Sequence, residues 1–77
     1  MSPPHLPAVK PREMTRALEK MGFQLIRKSK GSHWQFEHPD GRRTTIPMHK
    51  GKDIGPGLLR KILRDIELDG DQLRQWI

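Results

Sequence analysis

Between residues 31 and 41 the chain reads Gly-Ser-His-Trp-Gln-Phe-Glu-His-Pro-Asp-Gly, and little but a short β-strand pinned between two turns accommodates that order. Trp34 and Phe36 alternate with His33, Gln35 and Glu37. Successive side chains on a strand point to opposite faces, so the aromatics go to one side of a sheet and the polar set, His33 included, to the other. Gly31 supplies a turn position where positive φ costs little, and Pro39-Asp40-Gly41 is a strong turn signal. The register of this strand is therefore fixed at both ends, and everything around it must supply an apolar layer for one face only.

Two helices can do so. Pro11 suits a first helical turn, Glu13 favours the positive end of the helix dipole, and Met14, Ala17, Leu18 and Met21 recur at the spacing of one apolar stripe, with Arg16, Glu19 and Lys20 toward water. Gly22 closes the helix. Pro56 opens a second one, in which Leu59, Ile62, Leu63 and Ile66 repeat the pattern and Arg60, Lys61 and Arg64 face outward. Asp69 caps a last short helix, with Gln72 completing a capping box and Leu68 and Leu73 forming a hydrophobic staple; Trp76 and Ile77 finish that helix.

Between the long helices, Phe23 to Lys28 reads as a first strand whose alternation breaks at Leu25 and Ile26, leaving its inward set open. After the central strand, Arg43 to Met48 forms a third, an edge strand because Pro47 cannot donate to a ladder. The result is an α+β domain over residues 11–77, α-β-β-β-α with a short C-terminal helix. Its three-stranded antiparallel meander carries both main helices on the face of Trp34, Phe36, Ile46 and Met48. Residues 1–10, with Pro3, Pro4 and Pro7, read as a poorly ordered leader that packs only through Leu6 and Val9.

Seventy-seven residues without cysteine make one small domain with a modest core, no disulfide and no room for a deep enclosed pocket. No apolar run reaches the ~20 residues of a membrane span, and the start lacks the apolar core of a secretory signal, so the chain reads as cytoplasmic. Its net charge of +6 calls for a polyanion, and five of those six charges lie between Arg27 and Lys52. The uncovered sheet face, rimmed by basic turns, suits RNA backbone better than a DNA major groove, because no helix has a basic face isolated from the core.

In order along the chain, Gly22-Phe23, Arg27, Gly31-Ser32-His33 with Phe36, His38-Pro39-Asp40-Gly41-Arg42-Arg43, Ile46-Pro47-Met48-His49-Lys50-Gly51, Pro56-Gly57, Leu59-Arg60 and Ile62-Leu63 resemble the HicA (YcfA-like) toxins. The likeness runs from about residue 6 to residue 77. It implies a fold like the double-stranded-RNA-binding domain, a ribosome-independent mRNA endonuclease activity acting in stress, and neutralisation by a cognate HicB antitoxin. The toxin alone would be a monomer, and a hetero-oligomer forms with the antitoxin. The family's catalytic histidine follows the Gly-Ser pair, which maps it onto His33; many relatives carry a second histidine where this chain has Trp34.

Chemistry agrees with that assignment. RNA carries its own nucleophile, so one imidazole able to accept or give a proton near neutrality, with cations to balance phosphoryl charge, suffices without metal or other cofactor. The expected RNA-contacting set is Lys28, Lys30, Gly31, Ser32, Arg42, Arg43, Lys50 and Lys52, with Lys28, Lys30 and Arg43 closest to the reacting phosphate. His38 reads as a partly buried turn residue and His49 as part of the basic loop. The alternatives are a non-catalytic basic RNA-binding module, a protein-interaction subunit whose basic face meets an acidic partner, and a zinc site drawn from His33, His38 and His49.

Overall fold

The computed structural model describes residues 6–29, 31–49 and 51–77. In chain order these form α1 (Pro11–Met21), β1 (Gln24–Lys28), β2 (His33–Glu37), β3 (Arg43–Pro47), α2 (Pro56–Ile66) and α3 (Gly70–Arg74). The three strands make one antiparallel sheet in the order β1-β2-β3, so β2 is central and both neighbours are edges. The anticipated α-β-β-β-α order with a short terminal helix is the architecture observed.

Local signals set the helix ends. The Glu13 carboxylate accepts the Lys10 N–H at 2.9 Å, which satisfies one backbone donor just ahead of α1, and Pro11 occupies a position where its missing N–H costs nothing. Gly22, at φ 102°, ends the helix in the left-handed region, and Phe23 N–H reaches back to Leu18 O at 2.9 Å. At α3 the two halves of the capping box are both made: Gln72 N–H donates to Asp69 at 2.8 Å and Asp69 N–H to the Gln72 side chain at 2.9 Å. That helix ends at Arg74 rather than running to the chain end, and Trp76 and Ile77 lie beyond it, exposed.

The apolar stripes meet as their spacing requires. Met14, Ala17 and Leu18 of α1 and Leu59, Ile62, Leu63 and Ile66 of α2 bury against Phe36 and Ile46 of the sheet, joined by Phe23, Ile54 and Leu73. Trp34 and Met48, expected in this layer, sit at its margin and are only half-buried. Thr44, also on the covered face, is buried and donates to the Asp65 carboxylate at 3.0 Å, tying β3 to α2. The end of the expected leader belongs to this body as well. Val9 is fully buried and its carbonyl accepts Ile54 N–H at 2.8 Å, while residues 1–5 lie outside those described.

The broken alternation of the first strand has a geometric cause. Leu25 pairs with Phe36 and Arg27 with Gln35, so Ile26 is an extra residue, a β-bulge. Arg27 thereby joins the uncovered face, opposite Gln35, and Lys28 is delivered opposite Trp34 on the covered one.

Candidate nucleic-acid interface

His33 opens β2 on the face that neither long helix covers, and it is exposed. Its place is fixed through the backbone: the His33 carbonyl accepts both the Ser29 N–H at 2.9 Å and the Ser29 hydroxyl at 3.1 Å, and across the sheet it lies beside Pro47. The Gly31-Ser32 turn immediately before it is tight, with Gly31 at φ 82°, a conformation that side chains disfavour. Ser32 O accepts the Met48 N–H at 2.6 Å, which binds this turn to the end of β3. The residue is thus fixed by backbone hydrogen bonds, and its imidazole is open to solvent.

The cations are distributed differently from the expected set. Without the bulge, Lys28 would stand opposite His33; with it, the Lys28 ammonium lies 4.2 Å from the centre of the Trp34 ring, a cation–π contact on the other face of the sheet. Arg43 does lie on the open face, but it pairs with Glu37 at 3.2 Å, at the far end of β2. Four strand steps separate it from His33, about 13 Å at ~3.3 Å per residue. Among the described residues the cation best placed beside His33 is Arg27. It is a diagonal cross-strand neighbour, at the ~7–8 Å backbone spacing that long side chains bridge. Sequence reasoning passed over it because its face depends on the bulge.

Arg42 is committed to the fold. Its guanidinium donates to Ile66 O at 2.6 Å and to the Asp40 carboxylate at 2.9 Å, and it lies 5.1 Å from the Phe23 ring centre. One side chain thus joins the β2–β3 turn to the last turn of α2, where helix carbonyls lack partners. Asp40 is held below the ordinary carboxylate range, first by the Arg42 N–H bond and then by the Arg42 guanidinium, with a smaller contribution from His38. His38 is half-buried and packs edge-on against Phe23 at 5.1 Å. Its Nδ1 lies 3.1 Å from both the Asp40 N–H and the Asp40 carboxylate; the first contact needs a neutral ring and the second a protonated one.

Gly31, Ser32 and Lys52 come together at one place. They line a cleft of about 700 Å³ bounded by α1, the two turns and Trp34, with exposed His49 on its wall. Lys30 and Lys50, expected to contact RNA, lie outside the described residues. No group of three His, Cys, Asp or Glu side chains among the described residues is arranged to hold a metal ion, so His33, His38 and His49 do not converge as a zinc site. No helix among them is long and apolar enough to cross a membrane.

These features define a small basic α+β domain that presents one histidine on the bare side of a three-stranded sheet. Residues 11–68 match the HicA toxin family of bacterial toxin-antitoxin systems, and the chain belongs to that family. It is accordingly a toxin component whose counterpart is an antitoxin. No curated protein matches the chain.

Proposed function

We propose that this toxin is an mRNA endonuclease in which His33 moves the proton of the reacting 2′-hydroxyl, and that a HicB antitoxin neutralises it in the cytoplasm. The observation that carries the reading is the exposed imidazole of His33, held by the backbone at the start of β2 on the uncovered sheet face. As the proton leaves, the 2′ oxygen bonds to phosphorus and the bond to the 5′ oxygen breaks, that oxygen taking a proton from water. Negative charge builds on the phosphoryl oxygens, and among the described residues Arg27 is the cation of the same face nearest to receive it. Arg43 acts further along the strand, on backbone phosphates if it releases Glu37.

Long RNA incubated with purified protein in strong chelator, beside a His33→Ala variant, tests this reading. Cleavage by the wild type and a loss of ~10² to 10⁴ in the variant is expected from a positioned histidine. RNA bound but left intact by the wild type would instead make the domain a non-catalytic RNA-binding module.

A further inference from the structure

α1 carries a second stripe beside its apolar one. Arg12, Arg16 and Glu19 recur at i, i+4 and i+7, so they share a face, and that face forms one wall of the 700 Å³ cleft. Opposite stand Lys52 and the Gly31-Ser32 turn, and Trp34 and Met48, the two half-buried residues at the core margin, also line it. Among the described residues neither Arg12, Arg16 nor Lys52 has an acidic partner; Glu19 is the only acid on the lining. Three unpaired cations around a partly exposed indole form a surface with no evident structural purpose, because a helix of this length needs only its Met14–Leu18 stripe to pack. Cationic walls that follow a phosphate backbone and an aromatic on which a base stacks are what single-stranded nucleic acid requires.

The cleft also adjoins the reacting group. Gly31 and Ser32 form part of its lining, and the next residue is His33. His33 itself faces the other side of the sheet, so a strand whose scissile phosphate lies there reaches the cleft by passing around the Gly31-Ser32 turn. A volume of about 700 Å³ falls in the ~300–1,000 Å³ range of small-ligand sites, which suits about one or two nucleotides of a single strand and excludes a duplex.

We propose that this cleft is a subsite for single-stranded RNA flanking the cleavage point, with Arg12, Arg16 and Lys52 on its phosphates and Trp34 against a base. The assignment rests on the ribonuclease reading for its orientation, but the cleft's affinity for RNA is measurable without any cleavage.

The test uses full-length protein carrying His33→Ala, so that RNA stays intact, and a fluorescently labelled single-stranded oligoribonucleotide whose binding is followed by anisotropy at several salt concentrations. Adding Arg12→Gln/Arg16→Gln, two exposed positions that tolerate glutamine in a helix, should weaken binding at least tenfold and reduce the magnitude of the log–log salt slope by ~1.4, two phosphates at ~0.7 each. Trp34→Leu should weaken it by ~5- to 150-fold, the worth of one stacked base. A matched pair on the other helix, Arg60→Gln/Arg64→Gln, controls for net charge. If both arginine pairs lower affinity and slope equally, or if His33→Ala binds no single-stranded RNA, the subsite does not exist. Wild-type cleavage that survives Arg12→Gln/Arg16→Gln with KM unchanged sinks the cleft and spares His33, whereas cleft-dependent binding with no wild-type cleavage keeps the cleft and sinks the nuclease.

Discussion

The two ends of the sheet put their cations to opposite uses. At the end holding the 38–42 turn, Arg42 is divided between Asp40 and Ile66 O, Arg43 is matched by Glu37, and Lys61 shares Asp65 with Thr44. At the end holding His33, Lys10 pairs with Asp53 at 3.3 Å, but Arg12, Arg16, Arg27 and Lys52 have no acidic partner among the described residues. Similar local charge thus fastens the molecule together at one end and remains available to an anion at the other. A basic residue count locates the polyanion surface only after the paired residues are subtracted.

The sharpest way to break this contrast is at its two extremes. His33→Ala should lower RNA cleavage by ~10² to 10⁴ while the unfolding free energy from a urea titration stays within the ~0.5 kcal/mol typical of surface changes. A variant that loses activity by unfolding would show it in the same titration. Arg42→Met should do the reverse. Losing hydrogen bonds from a charged donor costs ~1.5–3 kcal/mol, equivalent to a fall in Tm of roughly 6–24 °C at the ~4–8 °C per kcal/mol expected of a domain this small. Cleavage per folded molecule should be unchanged; a specific loss of RNA affinity at full stability would place Arg42 in the interface after all.

Smaller effects sharpen the structural end. Thr44→Val removes the donor to Asp65 without changing volume much, and denaturant unfolding should report a loss of ~1 kcal/mol. Arg43→Gln breaks an exposed pair with Glu37, so its cost should be ~0–1 kcal/mol and should shrink with added salt. The mildest effect is that of acid on the 38–42 turn. Because the folded carboxyl of Asp40 lies below its ordinary value of 3.8, its contribution is complete above that pH and fades as pH falls through the lower folded value. Amide exchange or chemical shifts at Gly41 and Arg42 should follow that loss, and a turn unchanged once Asp40 is fully protonated would contradict the Asp40–Arg42 contact.

Much of this was readable from local pattern. The stripes of α1 and α2, the parity of His33 against Trp34 and Phe36, the turn at Pro39-Asp40-Gly41 and the box at Asp69 and Gln72 each depend on residues within a few positions of one another. What local pattern leaves open is decided where the partner is distant. Arg42 meets Ile66, 24 residues further along, and nothing near Arg42 in sequence announces that carbonyl. Lys28 changed faces because one bulged residue reverses the parity of all that follow, and a Leu25-Ile26 doublet signals irregularity without giving its sign. The Arg12–Arg16–Glu19 stripe was visible as spacing, but an outward helix face acquires meaning only once two loops fold up beside it.

The extra residue in β1 also makes the surroundings of His33 depend on strand register in a way that ordinary substitution does not reach. Excising Ile26 would remove the bulge and leave Arg27 opposite Gln35 and Lys28 opposite Trp34, whereas pairing all five residues in regular register would turn the arginine to the covered face and install the lysine beside the imidazole. A guanidinium fork would give way to a point charge, and the indole would lose its ammonium cover in the same event. The bulge thus decides the chemical character of both surfaces of the sheet at once.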